Sequence, residues 1–146
     1  MKPTGLGFEW RLRDDANLAT SNHLVVVRFK GKCVLEPVGY LFDERGPLAF
    51  TYSTDGAVQP YSEVACDKVV SSVRSAMFGG DFASADELLG RALGRVLAHE
   101  LVHMLSKSGA HSRSGVEKAA LSGKLLIAPD LRLDAADLEK LHAVVQ

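Results

Sequence analysis

The stretch Ala85–Ser108, ADELLGRALGRVLAHELVHMLSKS, decides how the rest of the chain is read. Leu88, Leu89, Ala92, Leu93, Val96 and Leu97 recur at helical spacing, and the pattern runs on through Leu101 and Leu105. Ser84, with Glu87 three residues on, fits a capping box at the start. Gly109 is a stop signal at the other end. The spacing predicts one helix from Ala85 to Ser108, long for a globular domain.

Downstream, Asp134 is placed to cap a final helix over Ala135–Val145. Upstream the period is different. Gly7–Leu12 (GFEWRL) alternates as a strand does, and Leu24–Phe29 (LVVVRF) is rich in β-branched residues with Gly31 as its stop. Val38–Phe42 and Leu48–Tyr52 are two further short strands, separated by the turn-like DERGP. Asp55-Gly56 is a hairpin turn signal before a strand over Ala57–Ala65. From Asp67 the period becomes helical, with Val69, Val70, Val73 and Met77 on one face and Phe78-Gly79-Gly80 closing it. Strands followed by helices predict an α+β fold.

Composition sets the outer limits. The chain has 146 residues, enough for one domain, 1–146, and too few for two ordinary ones. Apolar residues make up 47% and charged residues 24%, so a real core can form. A net charge of −1 carries no basic field for nucleic acid or anionic lipid. The aliphatic runs Leu24–Val27 and Leu125–Ala128 are too short to span a bilayer. MKPTGLGFEW has no apolar signal-peptide core. Cys33 and Cys66 suit either one disulfide or two buried thiols, and both readings stay open. No CxxC, Walker loop, GxGxxG or GxSxG motif is present.

The chemistry lies in the second half of the long helix, at His99-Glu100-Leu101-Val102-His103, the pattern HExxH. A spacing of i, i+4 puts both imidazoles on one helix face with Cβ atoms about 5–6 Å apart. Two ring nitrogens at that separation can converge on one metal ion. Glu100 points beside the ion, where a carboxylate can take a proton from water. With 5 His in the chain, chance placement produces HExxH in roughly one such chain in 100. An open catalytic site needs a third protein ligand. His111, two residues past Gly109, is the leading choice. Glu117, Asp130, Asp134 and Glu139 are the alternatives, while His23 and His142 read as bystanders.

HExxH on a long helix, followed by Gly and a third His, resembles the zincin metallopeptidases, and among them the metzincin-like branch. The chain is most similar to small bacterial HExxH proteins in which such a helix is followed by a loop, a His and a Ser-Gly turn. Those parts are Gly94–Leu105, His111 and Ser114-Gly115 here, and the resemblance covers about Leu88–Val116. It implies a twisted mixed β-sheet lying over the active-site helix, with a C-terminal helix. It further implies an edge strand along the cleft, Leu48–Tyr52 or its neighbour, that pairs with an extended peptide.

Two features depart from the metzincin pattern HExxHxxGxxH. Gly109 is six and His111 eight residues after His103, and the place where a Met-turn is expected holds Glu117. Glu117 reads first as a surface charge, next as a partner of a ligand His, and last as a ligand itself. Zincins of this type also carry a helix before the first strand, whereas GFEWRL begins almost at once. Lack of that helix leaves one sheet face bare and favours self-association. A truncated or misassigned start would produce both absences, that of the helix and that of an export signal upstream of it.

The resemblance implies a zinc-dependent peptidase acting on a peptide or protein substrate. Zn²⁺ on His99, His103 and His111 activates water, with Glu100 as the proton carrier. Two rival readings are a closed zinc domain without turnover, with Glu117 as fourth ligand, and an interaction domain without metal.

Overall fold

The hairpin signal Asp55-Gly56 sits at the centre of the β-structure of the computed structural model, which describes residues 4–15, 24–35, 46–77 and 82–145. Both turn residues have positive φ, 52° and 77°. That backbone matches the right-handed twist of the strands it joins. The strands are β2, Ala49–Thr54, and β3, Ala57–Ala65, paired antiparallel. β1, Val26–Lys30, pairs parallel to β3, so the order is β1-β3-β2 and the sheet is mixed. Pro60 lies in the central strand, where a missing N–H normally breaks a ladder. It is tolerated because the β2–β3 register shifts between Thr51 and Ser53, and the β1 pairing begins only at Tyr61.

Ser62 and Val64 of β3 are fully buried and mark the inner face of the sheet. Their partners there are Val27 and Phe29 of β1 and Thr51 and Ala49 of β2. Val26, Phe50 and Tyr52 face the other way and are exposed, with the Tyr52 ring against Phe50 and Tyr61.

β3 runs straight into α1, Cys66–Ala76. Its apolar face, Val69, Val70 and Val73, enters a core with Val64, Ala85, Leu89, Ala92, Val96 and Leu126. Burying each such aliphatic side chain contributes about 1.5–3 kcal/mol. Cys66, at the start of α1, is disulfide-bonded to Cys33 with a Cα–Cα distance of 4.8 Å. This resolves the two readings of the cysteine pair and staples the end of β1 to the first turn of α1.

α2, Ala85–Ser106, is the axis of the molecule. Its first half buries one stripe, Ala85, Leu89, Ala92 and Val96. Its second half is buried on every side, from Glu100 through Met104. There β2 and β3 cover one flank and α4, Ala135–Val145, another. α3, Gly123–Ile127, lies between α1 and α2. Arg91 and Arg95 of α2 donate to the Ile127, Leu125 and Leu126 carbonyls, which terminate the short helix.

The α+β prediction holds, and several local expectations need correction. Gly7–Leu12 forms no strand, and Trp10 and Leu12 are exposed. Alternation alone does not supply the partner ladder a strand requires. α2 stops at Ser106, two residues early, with Lys107 rather than Gly109 in the left-handed conformation (φ 54°). The Ser84 side chain makes no capping bond, because a 3₁₀ turn over Phe82–Ser84 holds it away from the extended geometry a cap needs. α3 is hidden in a five-residue segment too short to show a period. Asp134 does cap α4, accepting the Asp137 N–H at 3.0 Å. The expected strand Val38–Phe42 and the stop Phe78-Gly79-Gly80 lie outside the described residues.

Candidate metal centre

The helical repeat sets His99 and His103 one turn apart, and their Nε2 atoms are 3.1 Å from each other. What each ring does at Nδ1 decides what Nε2 can do. His99 Nδ1 is 2.8 Å from the Val116 carbonyl, and His103 Nδ1 is 2.7 Å from the Ser108 carbonyl. A carbonyl oxygen only accepts, so both Nδ1 atoms donate. In a neutral ring the Nε2 atom then carries a lone pair. Two lone pairs facing each other at this distance repel unless a proton or a metal cation stands between them. Nitrogens 2.0–2.1 Å from one tetrahedral ion are about 3.3 Å apart, close to the separation seen.

His111 completes the group. One ring nitrogen from each of His99, His103 and His111 lies within 4.8 Å of the others. The ring centres are 5.2 Å apart for His99–His111 and 4.9 Å for His103–His111. Burial lowers the pKa of His99 and of His111, with nearby imidazoles adding to the effect. Neutral rings are the form that binds a metal. These three histidines are therefore close enough to hold a metal ion.

The loop that delivers His111 is held from three sides. Ser112 N–H donates to the Glu117 carbonyl at 2.9 Å, which closes the loop on itself. Val116 N–H donates to the Arg132 carbonyl at 3.0 Å. Ser112 Oγ donates to Asp137 Oδ1 of α4 at 2.7 Å, and Lys140 Nζ pairs with the same oxygen at 3.1 Å. Gly115 has φ +72°, and a Cβ there would meet the Arg132 carbonyl oxygen at 2.4 Å. The Ser-Gly turn is thus required by both conformation and close approach.

Glu100 is 4% exposed and faces the sheet. Its Oε2 accepts from Thr51 Oγ1 at 2.5 Å. Thr51 has only one hydroxyl hydrogen, so Ser62 Oγ, 2.6 Å away, donates to Thr51. Burial raises the Glu100 pKa, and the Thr51 bond works against that rise. His99, Glu100, His103 and His111 open onto a cleft of about 340 Å³ walled by Ala49, Phe50, Thr51 and Ser53 of β2. Among the described residues β2 is an edge of the sheet.

Glu117 is not a surface charge. It is fully buried, with Oε1 3.5 Å from His99 Nδ1 and Oε2 3.8 Å from His103 Nδ1. Neither oxygen has a hydrogen-bond partner. Burial, with Asp137 nearby, pushes its pKa up to about 8. It approaches the side of the two rings opposite to Nε2. Asp130, Asp134 and Glu139 do not join the group. Asp130 is exposed beside Arg132, Asp134 caps α4, and Glu139 and His142 are exposed on α4. His23 lies outside the described residues. Tyr52 and Tyr61 pack ring against ring at a tilt on the outer face of the sheet, and Tyr40 lies outside the described residues. Thr51, Ser62, Ser112 and Asp137 carry no signal in the sequence, since each acts on a residue far away along the chain.

Comparison with protein-family models, with curated proteins and with solved structures finds no match to this chain.

Proposed function

We propose that this chain is a zinc-dependent metallopeptidase of zincin type. His99, His103 and His111 are the metal ligands, and Glu100 is the proton carrier. One observation carries the reading: both HExxH rings donate at Nδ1 to backbone carbonyls, and their Nε2 atoms meet at 3.1 Å. Three neutral imidazoles suit Zn²⁺, which binds nitrogen donors well and tolerates an open position.

Bound zinc supplies Lewis acidity toward a carbonyl and brings the pKa of water down toward about 7. The chain supplies the rest. Thr51 holds Glu100 Oε2, which leaves Oε1 to take a proton and return it to the leaving amine. A carboxylate whose pKa is raised by burial takes up a proton more readily than an ordinary one. β2 borders the cleft, and its edge offers main-chain groups to an extended peptide. Strand addition of this kind accepts varied side chains, which suits a peptide or protein substrate.

The test is metal analysis joined to turnover of a peptide library. One zinc per chain is expected, lost on chelation and in His111→Ala. Glu100→Gln keeps the zinc and loses hydrolysis. Full activity in Glu100→Gln overturns the role of Glu100. A protein purified without metal that takes up none on zinc addition overturns the enzyme reading.

A further inference from the structure

Glu117 plays no part in the proposed hydrolysis, yet among the described residues it is a fully buried carboxyl with neither oxygen hydrogen-bonded. A carboxyl group without a hydrogen-bond partner is costly to bury, whether ionised or neutral. Its neighbour Asp137 is equally buried but is balanced by Lys140 and Ser112. The ion-pair contacts of Glu117 among the described residues are His99 and His103 alone, both at Nδ1.

We propose that Glu117 is a positioning residue for the metal: its carboxylate, behind the two HExxH rings, tightens metal binding at the expense of the metal-free fold. The inference rests on the three-histidine metal site. A divalent ion on three neutral imidazoles brings a charge of +2 into a half-buried site. That charge spreads through the rings and makes each Nδ1–H more positive. A carboxylate 3.5 and 3.8 Å behind them is attracted in the loaded state. In the metal-free state it faces neutral rings and is simply a buried, unsatisfied group. Glu117 therefore acts with opposite sign in the two states. Carboxylates and carbonyls that back ligand histidines raise their basicity in this way.

The experiment compares wild type, Glu117→Gln and Glu117→Met, the last an unbranched apolar side chain that fills gaps. Zinc affinity is read by competition with a chromophoric chelator, and thermal unfolding is read on the chelated proteins. Both variants are expected to bind zinc about 10–100-fold more weakly than wild type. Chelated Glu117→Met is expected to melt above chelated wild type. Affinities within about twofold of wild type overturn the proposal. So does weaker binding together with a lower chelated melting temperature, which is what a purely structural residue produces. A wild type that takes up no zinc instead removes the metal site itself. His111→Ala in the same assay keeps the two failures apart, because its loss of zinc requires the site but not Glu117.

Discussion

Thr51→Val separates the role of the sheet from that of the helix at Glu100. The substitution keeps the branched shape of the side chain and deletes one hydroxyl. That hydroxyl donates to Glu100 Oε2 at 2.5 Å and accepts from Ser62 at 2.6 Å. Its loss strands two groups, a carboxyl that is 4% exposed and a hydroxyl that is fully buried. A hydrogen bond to a charged group contributes about 1.5–3 kcal/mol, and an unsatisfied hydroxyl costs about 1–3. Partial overlap of the two puts the expected loss at about 2–4 kcal/mol. For a chain of this size that lowers Tm by about 6–13 °C. The deficit depends on pH. Burial already raises the folded pKa of Glu100 above its unfolded value, and removing Thr51 raises it further. Folded-state proton binding therefore favours the fold at low pH and is lost as pH rises. The gap between variant and wild type should be smallest below the unfolded carboxyl pKa and widen toward neutral pH. Thermal unfolding of chelated protein from pH 4 to pH 8 reads this, with Thr51→Ser as the variant that keeps the hydroxyl. A gap that stays constant with pH, or a loss below about 0.5 kcal/mol, refutes the assigned network.

Two further outcomes follow from packing and cross-linking. Gly123 lies against α1, where a Cβ would meet the Ser72 carbonyl oxygen at 2.1 Å. Gly123→Ala should cost about 1–3 kcal/mol through forced separation of α1 and α3, read by denaturant unfolding. The Cys33–Cys66 bridge closes a loop with a sequence separation of 33. Reduction should therefore remove about 3–4 kcal/mol by the chain-entropy relation, read as a drop in Tm with and without reductant.

Local chemistry makes part of this molecule legible in advance. The Asp55-Gly56 hairpin, the strand Ala57–Ala65 and the Asp134 cap each depend on residues within a few positions of one another. The pairing of His99 with His103 is of the same kind, because the helical repeat alone sets it. Where a second, distant partner is needed, local pattern misleads or leaves two outcomes open. GFEWRL has the alternation of a strand but no ladder among the described residues, and α2 ends early where the Ser108 carbonyl meets His103. The cysteine pair suits two states until β1 and α1 are brought side by side.

By itself the sequence determined a long helix bearing HExxH, a strand-rich first half and a short list of candidates for a third metal ligand. Only the tertiary structure decided that His111 reaches the pair, that Thr51 holds Glu100 from 49 residues away, and that Glu117 lies buried behind both rings. The division has a physical cause. Helix periods and tight turns follow from backbone geometry over a few residues, whereas burial and charge environment arise when remote segments exclude water together.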